Sequence, residues 1–210
     1  MYPFENIGII PIDYSVLKSI FRNYKSPKDK IASLEKKGDI IRLKKGLYIL
    51  SSKWHNKTFS KALIANHIYG PSYVTSDWAL NYYGIIPERV YTVLSGTLKR
   101  SRKFDTQMGN YEYMHLPDDY FSIGINQETE GMEYSFLIAS PEKALCDKII
   151  STNRLRLQSL KAVKEYVEDD LRCDFSVLSG IDKNIIYNCF QARNGKIEFK
   201  YLLKYFELNF

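Results

Sequence analysis

Between residues 25 and 45 the chain sets out Lys25, Ser26, Lys28, Lys30, Ser33, Lys36, Lys37, Arg42, Lys44 and Lys45. Ammonium and guanidinium groups only donate hydrogen bonds, and hydroxyls donate or accept, so this set is suited to phosphate oxygens. The chemistry it points to is the holding of a polyanion. Charge along the chain agrees: residues 1–53 hold eleven Lys or Arg against five Asp or Glu, while residues 54–210 hold nineteen of each. The whole net charge of +6 therefore sits in the first quarter of 210 residues. Nucleic acid is the partner such a partition fits, and a solvated lysine-rich face is the alternative.

Groups for bond-breaking chemistry do not assemble in the same way. His55, His67 and His115 have no metal-ligand spacing with one another or with a cysteine. The sequence has no Walker A loop, no Gly-x-Gly-x-x-Gly and no Gly-x-Ser-x-Gly. Cys146 reads as a buried structural thiol, since nothing nearby would lower its pKa. Glu168-Asp169-Asp170 reads as a solvated helix end rather than a cation site. Glu142 has a sufficient role at a helix N-terminus, and Asp147 on the same helix reads as structural, with a functional acid as the alternative. The expectation is no catalytic residue, no metal, no cofactor and no enzyme activity. The competing class is a nuclease or nucleotide-handling domain tethered to a DNA-binding module. Trp78, Tyr82 and Tyr83 read as core packing rather than a base-stacking platform. The basic run 99–103 reads as a solvated turn, with a second phosphate contact, or the binding of RNA or a nucleotide, as its alternatives.

The elements that must position the basic set are legible in its neighbourhood. Val16, Leu17, Ile20 and Phe21 fall at helical spacing within a helix predicted over 13–23. Ser26-Pro27 with Asp29 is a cap, a first-turn proline and an acid suited to the helix dipole. The second helix should run over 27–37 and stop at Gly38. Ile31 and Leu34 share its inner face, which leaves Lys30, Ser33, Lys36 and Lys37 outward. Residues 39–43 and 47–50 read as two strands joined by Lys44-Lys45-Gly46, with glycine where a positive φ is needed. Helix, helix and hairpin outline a winged helix-turn-helix. Its second helix would present Lys30 and Ser33 near base edges, and the hairpin tip would set Lys44 and Lys45 against neighbouring phosphates. Residues 1–12 leave room only for a short extra turn.

Beyond a junction at Ser51-Ser52-Lys53 the composition changes. A helix is predicted over 58–69, then a short strand and a serine-capped helix ending at Gly84. Strands are predicted over 90–94, 111–115, 121–125 and 134–138. Ser140-Pro141-Glu142 repeats the capping grammar and opens another helix, and helices are predicted over 157–171, 182–192 and 198–206. The fold class expected is α+β: a winged helix-turn-helix over 1–53, then a larger mixed α/β domain over 54–210 with its terminal helices in 151–210. About 150 neutral residues are enough to bury a core of their own. No apolar run reaches the roughly 20 residues that span a bilayer, and the N-terminus lacks the features of a signal peptide. Three widely spaced cysteines argue for a reducing compartment, so the expected location is the cytoplasm, with no membrane partner.

Three stretches carry a resemblance. IASLEKKGDIIRLKKGLYIL (31–50), YVTSDWALNYYGIIPERVYTVLSG (73–96) and IASPEKALCDKI (138–149) resemble, in order and spacing, the landmarks of the AbiEi antitoxin family. These are bacterial transcriptional regulators of type IV toxin–antitoxin and abortive-infection systems. The resemblance implies an N-terminal winged helix that binds and represses its own promoter. It also implies a C-terminal domain that counters a nucleotidyltransferase-like toxin encoded beside it, in the setting of phage resistance. The DNA-contacting positions it implies fall on the 26–37 helix and the Lys44-Lys45 wing. Residues 151–210 match the family only loosely.

Overall fold

The computed structural model describes residues 7–131, 133–178 and 180–209. The expected extra turn over 1–12 lies in part outside the described residues. The chain is a mixed α+β fold: a small three-stranded sheet with two helices forms a head, and a six-stranded mixed sheet between helices forms a body.

In the head, β1 (Ile12–Asp13) leads directly into α1 (Tyr14–Ile20), followed by α2 (Pro27–Lys36), β2 (Ile40–Lys44) and β3 (Leu47–Leu50). Ser26 caps α2 by accepting a hydrogen bond from the Asp29 amide at 3.4 Å, and Pro27 fills its first turn. Ile31 and Leu34 are buried as the helical spacing predicts. Gly46 turns the hairpin at φ +84°, a conformation that only glycine adopts freely. The sheet order is β1-β3-β2, all antiparallel.

Strand alternation in β3 decides how the head joins the body. Tyr48 and Leu50 pack with Ile12, Leu17, Phe21, Ile31, Leu34 and Ile40 in the head core. Leu47 and Ile49, on the opposite face, are buried in the core of the body together with Leu43. Successive strand residues face opposite ways, so one short strand is buried on both sides and serves two cores. A register shift between Arg42 and Lys44 sets Leu43 at an irregularity in β2.

The body opens with α3 (Lys61–Ile68), β4 (Ser72–Val74) and α4 (Ser76–Tyr82). Its sheet has the order β6-β7-β5-β4-β9-β8, built from β5 (Val93–Thr97), β6 (Arg102–Thr106), β7 (Gly109–His115), β8 (Ile125–Glu130) and β9 (Tyr134–Ala139). β4 pairs parallel with β9 and β5 with β7, and the other pairs are antiparallel. Val74, Ser95 and Tyr113 are cross-strand neighbours on one face, where the Tyr113 hydroxyl donates to the Ala65 carbonyl of α3 at 2.6 Å. Tyr73 lies on the other face, toward α6 (Pro141–Ser151). The remaining helices are α5 (Asp118–Phe121), α7 (Leu160–Glu165), α8 (Phe175–Leu178), α9 (Lys183–Ala192) and α10 (Ile197–Asn209), with α9 packed on α6 and α10 packed on α7 and α9.

Several expected elements shift. The strand predicted over 121–125 is instead the end of α5 and a turn through Gly124, after which β8 begins. Gly124 has φ +60°, and a Cβ there would lie 2.9 Å from Ile185 Cγ2 and 3.0 Å from Lys143 Cβ. Neither a side chain nor a strand conformation fits at that point. The helix predicted over 157–171 is α7 followed by a π-helical turn, Tyr166–Asp170.

Candidate nucleic-acid interface

The basic residues expected to touch DNA divide into three groups once folded. Lys25, Lys28, Ser33, Lys36, Lys37 and Lys45 are exposed. Lys25 precedes the Ser26 cap, Lys28 opens α2, Ser33 and Lys36 occupy its solvent face, and Lys45 sits at the hairpin tip beside Gly46. Among the described residues no carboxylate forms a salt bridge with any of these lysines. The carboxyl end of α2 is held by the Lys53 ammonium, which donates to the Lys37 carbonyl at 2.9 Å. A cation there also complements the helix dipole. That role is not legible in the sequence, because sixteen residues separate the two partners.

A second group is engaged locally. Arg42 makes a 2.7 Å ion pair with Glu35 and lies over the Tyr48 ring at 5.6 Å, and its hydrogen bond to Glu35 raises its pKa further. Lys30 is half-buried, with its ammonium 5.0 Å from the centroid of the Tyr24 ring, so it leans back over the turn between the helices. Ser26 uses its hydroxyl oxygen in the cap. Between α2 and the hairpin lies a groove of about 360 Å³ lined by Lys28, Ala32, Glu35, Arg42 and Lys45.

Lys44 stands alone. It is the last residue of β2, paired with Leu47 on the face that looks at the body. Its ammonium donates to the Ile68 carbonyl at the end of α3. Burial, then the nearby Lys99 charge, lower its pKa. The expected pair of wing-tip lysines is therefore one tip lysine, Lys45, and one residue turned inward. A hairpin read only as a loop between two strands does not reveal that its last β2 residue shares the face of Leu47.

The buried acid of the body is fully engaged. Asp147 and Lys143 on α6 both have side-chain exposure of 0% and face each other at 3.6 Å. Asp147 Oδ2 accepts hydrogen bonds from Tyr73 at 2.9 Å and Thr75 at 2.7 Å, and Oδ1 accepts one from Tyr120 at 2.7 Å. The Lys143 ammonium donates to the Tyr120 carbonyl at 2.6 Å and sits over the Tyr120 ring. Burial lowers the Lys143 pKa against the pull of Asp147, and burial followed by the Asp147 charge raises both phenols. Cys146 is buried and pushed up by burial. Such a carboxylate ties β4, α5 and α6 together. Thr75 explains the missing serine cap of α4: Thr75 is the N-cap residue, but its hydroxyl goes to Asp147 rather than to the helix.

On the other side of the body sheet from α3 opens a cleft of about 1070 Å³, with Leu94, Met114 and Trp78 among its walls. Two cations at this cleft are already paired, Lys103 with Glu112 and Lys148 with Asp77, each at 2.7 Å. Trp78 stacks on Tyr82 at 5.7 Å and meets Phe136 edge-on, which is packing between α4 and β9. Among the described residues no three His, Cys, Asp or Glu side chains are grouped to hold a metal ion, and no helix is long and apolar enough to cross a membrane.

No protein-family model and no curated protein matches this sequence.

Proposed function

We propose that this chain is a transcriptional repressor that also serves as the antitoxin of a toxin–antitoxin pair in phage defence. The observation that carries the DNA-binding half is the set of exposed lysines that, among the described residues, have no carboxylate partner, on α2, at its C-cap and at the hairpin tip: Lys28, Lys36, Lys37 and Lys45. The order β1-α1-α2-β2-β3 with sheet order β1-β3-β2 supports a winged helix-turn-helix. In this reading α2 enters the major groove, which is wide enough for a helix, and Ser33 and Lys36 face the bases. Lys45 and Lys25 hold phosphates on either side and set the register.

The antitoxin half rests on the three stretches that resemble the AbiEi family. In this reading the body opposes a nucleotidyltransferase-like toxin encoded nearby, acts in the cytoplasm, and catalyses nothing. Its buried acid supports a structural role, since Asp147 is consumed by three hydroxyls and an ammonium.

The test compares the full chain with a Lys36→Ala/Lys37→Ala/Lys45→Ala variant on a duplex spanning the promoter of its own gene. For every phosphate that the variant no longer neutralises, the slope of log K against log salt should fall by ~0.9. The variant should lose repression of a reporter and still rescue growth beside the neighbouring toxin. An unchanged slope refutes the DNA-binding assignment, and failure of the unaltered chain to rescue growth refutes the antitoxin assignment.

A further inference from the structure

A second set of cations lies where head meets body. The Ile68 carbonyl takes the Lys44 ammonium, and two residues on the Gly70 carbonyl takes the Lys99 ammonium. Two residues of chain span at most about 7 Å, so the two ammonium groups are anchored side by side. Lys99 lies over the Tyr69 ring at 5.2 Å, and Arg102 lies over the Phe104 ring at 4.9 Å. Those rings are neighbours, 5.7 Å between centroids, and both pack on Tyr113. Arg102 opens β6, which is the edge strand of the body sheet and lies against β2 of the head. Lys99 and Arg102 from the body thus share one aromatic platform, and Lys44 from the head stands beside them, close enough for both charges to act on it.

What holds these cations does not neutralise them. A carbonyl engages one of the three N–H groups of an ammonium, and an aromatic ring engages its face. Among the described residues none of the three forms a salt bridge with a carboxylate. Asp13 is the acid close enough to act on Lys44, and Lys99 and Arg102 act on it in the opposite sense. Lys103, one residue along β6, points to the other face of the sheet and is paired with Glu112. The cation on the other face is therefore compensated while Lys44, Lys99 and Arg102 are not, and like charges held close together are relieved by an anion.

We propose that this seam holds a backbone phosphate of the same DNA duplex, so that the duplex runs from the hairpin tip across the β6 edge of the body. The proposal rests on the DNA-binding reading of the head. Continuity supports it: Lys44 at the seam and Lys45 at the tip are adjacent residues, with Cα atoms about 3.8 Å apart.

The experiment uses the full chain and an arbitrary 30-base-pair duplex, because phosphate contacts are independent of sequence. Binding is measured across a salt series for the unaltered chain, for Lys99→Gln/Arg102→Gln, and for Lys36→Ala/Lys37→Ala/Lys45→Ala. Both side chains at the seam are exposed, so loss of their ring and carbonyl contacts should leave the first variant melting within a few degrees of the unaltered chain. The expected result is a salt slope lower by about 1–2 for the seam variant, alongside a separate drop for the head variant. A seam slope equal to that of the unaltered chain, with the head slope reduced, overturns the seam and leaves the head reading standing. No binding of the duplex by the unaltered chain overturns both. A single-stranded RNA of equal length is run in parallel, and a seam variant that weakens RNA while sparing the duplex also overturns the proposal.

Discussion

Replacing Asp147 by asparagine keeps the shape of the side chain and removes its charge. Lys143 is then left as a buried cation with no counterion at 0% exposure, and removing one partner of such a pair costs about 3–5 kcal/mol. The new amide NH2 also turns toward hydroxyls that donate to the carboxylate, Tyr73, Thr75 and Tyr120. An unsatisfied or opposed donor adds about 1–3 kcal/mol. Together the loss should be about 4–8 kcal/mol, a large share of the roughly 5–15 kcal/mol of a typical domain. For a chain of this size 1 kcal/mol moves the melting point by about 2–4 °C, so a calorimetric scan should show a fall of roughly 10–30 °C. The double variant Lys143→Met/Asp147→Asn has no stranded charge and should recover at least ~2 kcal/mol, because apolar replacement of a buried pair is often neutral. A fall below about 3 °C for Asp147→Asn, or a double variant no more stable than the single one, would refute the structural assignment. The carboxylate would then be free for chemistry.

Two further outcomes follow from packing and from buried phenols. A fragment beginning at Trp54 lacks Leu43, Leu47 and Ile49, all buried in the body core. At about 1.5–3 kcal/mol for each side chain it should lose most of its stability and bind hydrophobic dye, and a cooperative melt near that of the full chain would refute the shared core. Burial raises the phenols of Tyr83, Tyr134 and Tyr166 to about 12, against an ordinary value of about 10. The stability they contribute is complete below pH 10 and is lost as pH rises from 10 toward 12, because the unfolded chain gives up its protons first. Absorbance at 295 nm should show these phenols ionising only together with loss of near-ultraviolet circular dichroism, and their ionisation near pH 10 in a folded chain would refute the burial.

Local signals in the sequence carried over well where a side chain acts on its own turn. Ser26-Pro27 and Ser140-Pro141 open helices at the expected residues, and the Ser140 oxygen accepts from the Lys143 amide at 3.4 Å. Gly38 and Gly46 stand at φ +68° and +84°, at the expected stop and turn. The same grammar failed at α4, because the hydroxyl of Thr75 is taken by a carboxylate 72 residues away. It failed again at 121–125, where the alternating apolar pattern of Phe121, Ile123 and Ile125 suits a strand, but Gly124 must turn tightly against Lys143 and Ile185.

The sequence by itself determined the position of the charge excess, the caps and turns around it, and the two strands of the hairpin. Those are properties of residues a few positions apart, set by backbone geometry and side-chain length. Only the tertiary structure decided which core each face of β3 enters, that Lys44 turns inward to Ile68 while Lys45 stays at the tip, and that Lys99 and Arg102 come to stand beside Lys44. Those relations join different elements, and Lys44 and Ile68 are 24 positions apart. The physical reason is that alternation specifies two faces of a strand without specifying what covers them, and a cation's partner depends on which distant carbonyl or ring the packing brings within reach.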